Sequence, residues 1–286
     1  MQINETARRT YETAMADLRN FMAHPWQTEM APYQVIPHVY YVGNKYVGSY
    51  LLDTSEGLVL IDAALQETVY LLFESIRKVG FDPKDIKKVL ISHGHVDHTG
   101  GLRSVQEYSG CEIWFPKGDA FFLTERRDLI LEEEHAPEFE VTGYYNYDDM
   151  MDFGNIQIQP VHTPGHTPGC TSFFITVHNN GTTLLGMHGG LGLNGLSKAE
   201  LLQNGLPASL QEDYLNSLKK LVNVPVDIVI PSHLSHFPGD YLGMIANNTD
   251  GSGDALRVPD AWKLLIEDRI AQAEALFKQD ELIDEN

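Results

Sequence analysis

Cysteine is nearly absent from this chain: Cys111 and Cys170 are the only two in 286 residues. Two thiols cannot build a disulfide framework, so the fold has to rest on its core, and a reduced, cytoplasmic setting is the simplest expectation. Positive charge is scarce as well. Lys and Arg number 20 against 40 Asp and Glu, a formal net charge of −20. That balance argues against a nucleic-acid polyanion as substrate or partner and leaves a small molecule as the expected one. Long hydrophobic runs are missing too. The longest fall far short of the roughly 20 residues a membrane helix needs, so no membrane association is expected. The opening residues Met1-Gln2-Ile3-Asn4-Glu5 carry neither the basic nor the apolar region of a secretory signal. No low-complexity stretch interrupts the chain. Its 43% hydrophobic content is ordinary for a globular protein of this length and sufficient for a sizeable core.

Histidine, by contrast, is concentrated. Three imidazoles and a carboxylate fall within six residues of Ser92-His93-Gly94-His95-Val96-Asp97-His98-Thr99-Gly100-Gly101. This segment follows Lys88-Val89-Leu90-Ile91, which reads as a short buried strand, and precedes helix-like sequence from Leu102 to Ser109. The cluster therefore occupies a loop at a strand's end, where α/β folds place their chemistry. Alternate residues of an extended segment point the same way. On that basis His93 and His95 converge on one ion, Asp97 continues on their side and His98 faces away. One loop thus offers ligands to two metal positions. Imidazole nitrogen and carboxylate oxygen suit Zn²⁺.

Taken in order, residues 1–24 read as an amphipathic N-terminal helix, with Leu18, Phe21 and Met22 to pack on the body and no chemistry assigned. Residues 25–286 read as a single domain. Trp26 and the proline-punctuated lead-in to Ile36 are either a surface strap or a border of the active site. Val39–Val42, Ser49–Leu52 and Leu58–Ile61 read as strands, and Val69 to Val79 as a helix closed by Gly80. Cys111–Phe115 is another strand, Ala120–Glu134 has helical character, and Tyr144, Tyr145 and Tyr147 either line a pocket or pack. The alternating strand at Ile156 leads into His162-Thr163-Pro164-Gly165-His166-Thr167-Pro168-Gly169-Cys170, a rigid Pro/Gly loop carrying two more histidines. A hairpin follows across Asn179-Asn180-Gly181, then Gly186-Met187-His188-Gly189-Gly190 and a helix from Ser209 to Leu221. The last core strand, Asp227–Ile230, ends in Pro231-Ser232-His233, with His236 three residues on. Residues 238–257 read as a loop that can edge the site. Pro259 opens a C-terminal helix whose apolar face packs on the body or on a second copy in a homo-oligomer.

The pattern His-x-His-x-Asp-His, followed by Thr-Gly-Gly, resembles the metallo-β-lactamase superfamily, and the resemblance runs from about Trp26 to about His233. It implies an α/β fold, the four-layered αβ/βα sandwich, with metals in the cleft between two halves. It further implies two Zn²⁺ per chain: His93, His95 and His166 would hold one, and Asp97, His98 and His233 the other, with His236 the competitor for the last place. A metal-bound hydroxide attacking a carbonyl is the implied reaction, with Asp97 both ligand and orienting group. Asp62, at the end of the Leu-Ile-Asp strand, is implied to lie beneath the metal loop as a hydrogen-bond acceptor, and His162 to be structural or supporting. His188 stands where relatives often carry a bridging Asp or a Cys, and its role is open among ligand, partner of a bound water and substrate contact. Flavodiiron oxidoreductases place Glu where this chain has His95, and hydroxyacylglutathione hydrolases and lactonases carry the Asp missing at position 188. The six ligands without Cys or bridging Asp are most similar to the third β-lactamase subclass. The expected activity is hydrolysis of a β-lactam-type cyclic amide. A lactonase or thioesterase of the same fold, or a non-catalytic metal-binding relative, is the alternative. Trp26, Tyr144, Tyr145 and His236 are the candidate substrate contacts.

Overall fold

The computed structural model describes residues 5–237 and 239–284. Residues 1–4, on which the reading of the N-terminus largely rests, lie outside the described residues. The first half is built from α1 (Glu5–Ala23), a turn of 3-10 helix at Pro25–Thr28, and the antiparallel meander β1 (Tyr33–Ile36), β2 (Val39–Tyr41), β3 (Tyr50–Thr54) and β4 (Gly57–Ile61). Then α2 (Val69–Lys78) crosses to β5 (Ile86–Leu90), and α3 (Val96–Thr99) with α4 (Leu102–Ser109) crosses to β6 (Glu112–Phe115). With β7 (Gly143–Tyr144) these form a seven-stranded sheet whose spatial order is the sequence order, parallel from β4 onward. The second half is a five-stranded sheet ordered β12-β11-β10-β9-β8, from β8 (Met151–Asp152), β9 (Ile156–His162), β10 (Thr171–His178), β11 (Thr182–Met187) and β12 (Ile228–Val229). Its strands pair antiparallel except β11 with β12. The helices α5 (Lys198–Gln203) and α6 (Leu210–Leu221) connect β11 to β12, and α7 (Tyr241–Asn247) and α8 (Ala261–Asp284) follow.

The period of two along the strands sets the layers. On β4, Val59 and Ile61 join the cluster shared with the second sheet, while Leu58 and Leu60 join the cluster under α2 and α4. Both faces of the central strands are therefore buried, as expected where helices cover a parallel sheet. Leu72 and Ile76 of α2, with Leu102 and Val105 of α4, fill the outer layer; each such side chain contributes about 1.5–3 kcal/mol by leaving water. On the far side, Trp262, Leu265, Ile266 and Ala273 of α8 are buried, and the Trp262 indole N–H donates to Leu221 O of α6 at 2.8 Å. The C-terminal helix thus lays its apolar face on the chain's own body. Helix, sheet, sheet, helix is the expected four-layered αβ/βα sandwich. Among the described residues, no helix is long and apolar enough to cross a membrane.

Three segments differ from the sequence reading. Ala120–Glu134 is not one helix but a series of short 3-10 turns at Lys117–Leu123, Arg127–Ile130 and Glu133–His135, because Leu131 and Glu132 take positive φ, 69° and 46°, which no helix continues through. The lead-in before Ile36 is an edge strand rather than a strap. The stretch read as a loop after Pro238 holds α7, nucleated by Asp240 accepting from Gly243 N–H at 2.9 Å. It packs toward β1 and β12, with the Tyr241 hydroxyl donating to Val229 O at 3.1 Å, rather than edging the histidine cleft.

Candidate metal centre

Every histidine loop leaves its sheet at the same edge. His93 to His98 follow β5, His166 lies in the β9–β10 connection, and His233 follows β12. The Thr171 N–H donates to Ser92 O at 2.8 Å and joins the two halves there. Side chains 73 positions apart, His93 and His166, have ring centroids 4.9 Å apart. His95 Nδ1 lies 3.1 Å from His166 Nε2. Potential ligand atoms of His93, His95 and His166 gather within 4.8 Å of one another, and so do those of His93, Asp97 and His98. His233 completes the second group from the other half, its Nε2 3.3 Å from Asp97 Oδ2, while His98 Nε2 is 3.6 Å from the same oxygen. The alternation argument applies only to His93 and His95. Val96–Thr99 is a helical turn, and this turn carries Asp97 and His98 into the cleft side by side; His98 does not face away.

Three of the five rings are turned by a carboxylate or carbonyl on their other nitrogen. His98 Nδ1 donates to Asp62 Oδ2 at 2.7 Å, His166 Nδ1 to Gly192 O at 3.0 Å, and His233 Nδ1 to Tyr46 O at 2.7 Å. The second nitrogen is thereby left with a lone pair aimed at the cleft, the arrangement that orients metal-ligating imidazoles. Asp62 also accepts from Ser92 N–H at 2.8 Å and from the Ser92 hydroxyl at 2.7 Å, so it holds the start of the loop as well as His98. Its left-handed backbone, φ 55°, is a strained conformation of the kind found at functional sites.

Charge in the cleft follows from burial and neighbours. Burial first, and the surrounding imidazoles second, hold His93 and His166 well below the usual histidine range, and burial lowers His95 to about 4. These rings are neutral at physiological pH, the form that binds metal. Burial opposes the ionisation of Asp97, but His98 and His233 outweigh it and hold the carboxyl far below its ordinary value. Burial likewise opposes protonation of His98, yet Asp97 and Asp62 together raise it. His98 Nε2 is buried with no hydrogen-bond partner. A buried polar atom left unmade is worth about 1–3 kcal/mol, and a cation beside Asp97 removes that penalty. The donor set, imidazole nitrogens with one carboxylate and no thiolate, fits a divalent metal such as zinc.

Several supporting residues carry no sequence signal. Asp119 accepts from Gly94 N–H at 2.8 Å, the Thr167 hydroxyl at 2.8 Å and Gly169 N–H at 2.6 Å, and so staples the first histidine loop to the second. Burial pushes its carboxyl up to about 6 in spite of these donors. Tyr46 sits edge-on to His233 at 5.2 Å, and burial followed by the charge of Asp97 keeps its phenol protonated. The unusual glycine run after His188 has a packing cause. A Cβ on Gly190 would stand 2.8 Å from His166 Cδ2, and one on Gly192 would stand 2.9 Å from His166 Cε1.

The remaining candidates divide. His236 lines the cleft, its ring 5.0 Å from that of His233. His188 is buried but lies outside the cluster: its Nδ1 accepts from Gly190 N–H at 3.2 Å and its Nε2 has no partner. His162 is structural, Nε2 donating to Pro168 O at 2.9 Å across its own loop. Three expected substrate contacts lie outside the residues that line the cleft. Trp26 is 59% exposed and packs against His24 away from the cleft. Tyr144 is an exposed edge residue on β7. Tyr145 is buried behind β5, where its hydroxyl accepts from Ile91 N–H at 2.6 Å and donates to Trp114 O at 2.8 Å. It backs the metal loop rather than the substrate. In their place α1, to which no chemistry was assigned, brings Met15, Asp17 and Leu18 to the cleft wall.

Known proteins share this fold and parts of this sequence. Over 89% of this chain and 98% of that one, the FEZ-1 metallo-beta-lactamase from Legionella gormanii superposes with a TM-score of 0.80 at 25% identity. BJP-1, a subclass B3 metallo-beta-lactamase of Bradyrhizobium japonicum, shares the fold with a TM-score of 0.78 over 90% of this chain and 98% of its own, at 24% identity. Among curated sequences, the N-acyl homoserine lactonase AttM of Agrobacterium fabrum is 30% identical over 123 residues, 39% of this chain and 44% of that protein. The N-acyl homoserine lactonase AiiA of Bacillus thuringiensis subsp. kurstaki is 26% identical over 169 residues, 50% of this chain and 63% of that protein. The chain thus spans less than two thirds of either lactonase. A family model for the metallo-beta-lactamase superfamily matches residues 42–233, from just after β2 to His233. Since that match takes in more than half of the sequence and all six clustered side chains, the chain belongs to the metallo-beta-lactamase superfamily of metal-dependent hydrolases.

Proposed function

We propose that this protein is a dizinc hydrolase of cyclic amides, the β-lactam class. The observation that carries this reading is the composition of the cleft: five imidazoles and Asp97 converge, and His188, at the position open to a bridging group, stays outside the cluster with Nδ1 engaged by Gly190. His93, His95 and His166 would hold one zinc, and Asp97, His98 and His233 the second. Zinc held by these residues would supply a water of pKa about 7 instead of about 15.7 and a Lewis acid for a carbonyl oxygen.

The chain's own groups do the rest. Asp97 is ionised and faces His98 and His233, so it can accept a hydrogen bond at the reacting centre and orient the donor. Tyr46 keeps its proton and acts as a donor only. Met15, Leu18, Leu131 and Leu191 line a cleft of about 190 Å³, room for a small ring, and their apolar surfaces keep bulk water away. Electrostatic interactions gain strength in such a site. One further reading has its own support: the 30% identity to a homoserine lactonase favours a cyclic ester.

The test is a panel of nitrocefin, an N-acyl homoserine lactone and a thioester with zinc-loaded protein. The expected result is nitrocefin turnover that a chelator abolishes and zinc restores. A kcat/KM for the lactone more than about tenfold higher would move the substrate class to esters. No zinc-dependent hydrolysis of any of the three would overturn the reading.

A further inference from the structure

Fixed charge in the metal cleft is of one sign. Among the described residues that line it there is no lysine or arginine. Besides Asp97, whose carboxylate faces His98 and His233, the acid in the lining is Asp17 of α1. Helical spacing puts Ala14, Asp17 and Leu18 on one face of α1, at i, i+3 and i+4. Ala14 and Leu18 line the cleft beside it, and Leu18 is buried. Asp17 therefore stands on the inward stripe of the helix, where an apolar side chain would continue the pattern, and not on its solvated back. It is exposed nonetheless. The space it faces is the cleft and a cavity of about 730 Å³ that opens from the cleft between α1 and α8. Among the described residues no hydrogen bond or ion pair engages the Asp17 carboxylate, and the nearby Arg19 is taken by Glu132 at 2.7 Å. The charge of Asp17 reaches the Tyr46 phenol, whose ring stands edge-on to His233 at 5.2 Å, so it is felt toward the metal-holding residues as well as at the junction.

We propose that Asp17 is a specificity-determining residue that seats a positively charged nitrogen of the substrate, an ammonium or a pyridinium. This deepens the hydrolase reading and rests on it: the preferred substrate becomes a cyclic amide with a cationic substituent. Zinc held by the histidines would repel a cation, so the seat lies at the α1 wall, toward the junction of the two spaces. The field of the whole chain acts in the same direction. At a formal charge of −20 it draws small cations and holds off small anions. The cleft wall and the excess of acid over base thus select the same sign of charge.

The test uses two substrate pairs on the zinc-loaded full chain, ampicillin against benzylpenicillin and cephaloridine against cephalothin. Each pair shares its ring system and its carboxylate. The cation is an ammonium on the acyl arm in the first pair, and a pyridinium in place of an acetate on the far side of the rings in the second. Comparing wild type, Asp17→Asn and Asp17→Lys within a pair cancels differences in intrinsic reactivity. In at least one pair, the cation-to-neutral ratio of kcat/KM is expected to fall about three- to tenfold in Asp17→Asn, through a higher KM for the cation, and further in Asp17→Lys. The wild-type ratio in that pair is expected to shrink as KCl is raised from about 10 mM to about 500 mM, because screening weakens an exposed charge. Ratios unchanged by both substitutions in both pairs, or a wild-type preference indifferent to salt, would overturn the proposal. Calorimetric binding of the ring-opened products, which needs no turnover, separates this from a failure of the hydrolase reading. In at least one pair the cationic product is expected to lose about threefold or more in affinity on Asp17→Asn relative to its neutral partner. Equal losses in both pairs, or no binding to the wild type, overturn the cation seat even if hydrolysis is seen.

Discussion

At the scale of single residues, three of the five cleft imidazoles are aimed by a hydrogen bond on their other nitrogen, and these aiming groups matter as much as the candidate ligands. Asp62 is the clearest case, since it fixes His98 and the loop start together. Asp62→Ala should weaken zinc binding by about 10- to 100-fold, read by competition with a chromophoric chelator. Unchanged affinity would mean that the loop holds its shape without it. Asp119 makes a different contribution. Replacing it with alanine strands two backbone N–H groups and a hydroxyl, each worth about 1–3 kcal/mol, so urea unfolding of metal-free Asp119→Ala should show a loss of several kcal/mol. His188→Ala, by contrast, should leave the zinc content intact; the loss of one equivalent would make it a ligand. The candidate ligands were legible in the sequence because four of them lie within six residues and the other two follow Pro/Gly-marked turns. Asp119 and Tyr46 were not, because each meets the cleft through contacts dozens of positions away that no local spacing records.

At the scale of elements, strands and long helices followed their periodicity, and the misread parts were those where a few backbone angles or one cap decide the outcome. The 3-10 turns before His135 depend on two left-handed residues, and α7 on the Asp240 cap. The larger surprise is α1. Its amphipathic pattern showed that it packs, with Met15, Leu18 and Met22 buried against Leu65, Val96 and Phe122. What the pattern could not show is that the surface it packs on borders the metal loop. Leu18→Ala should destabilise the chain by about 2–5 kcal/mol in denaturant unfolding. It should also raise KM, because the cleft wall and the core contact are the same side chain. A stability change below about 0.5 kcal/mol would mean that the helix is only loosely docked.

At the scale of the whole molecule, two sheets of seven and five strands place their loop-bearing edges together, and the cleft draws side chains from both halves. Metal bound there ties the halves to each other. Zinc at about 100 times its dissociation constant should therefore add about 2.7 kcal/mol of stability per site. The sandwich itself was legible only through the resemblance; strand and helix patterns gave the elements but not the sheet order. The most direct check on the central claim is the zinc content of the purified, dialysed chain beside His166→Ala and His233→Ala. Two equivalents in the wild type and about one in each variant are the result predicted. A wild type without bound zinc, or variants that keep both equivalents, would contradict it.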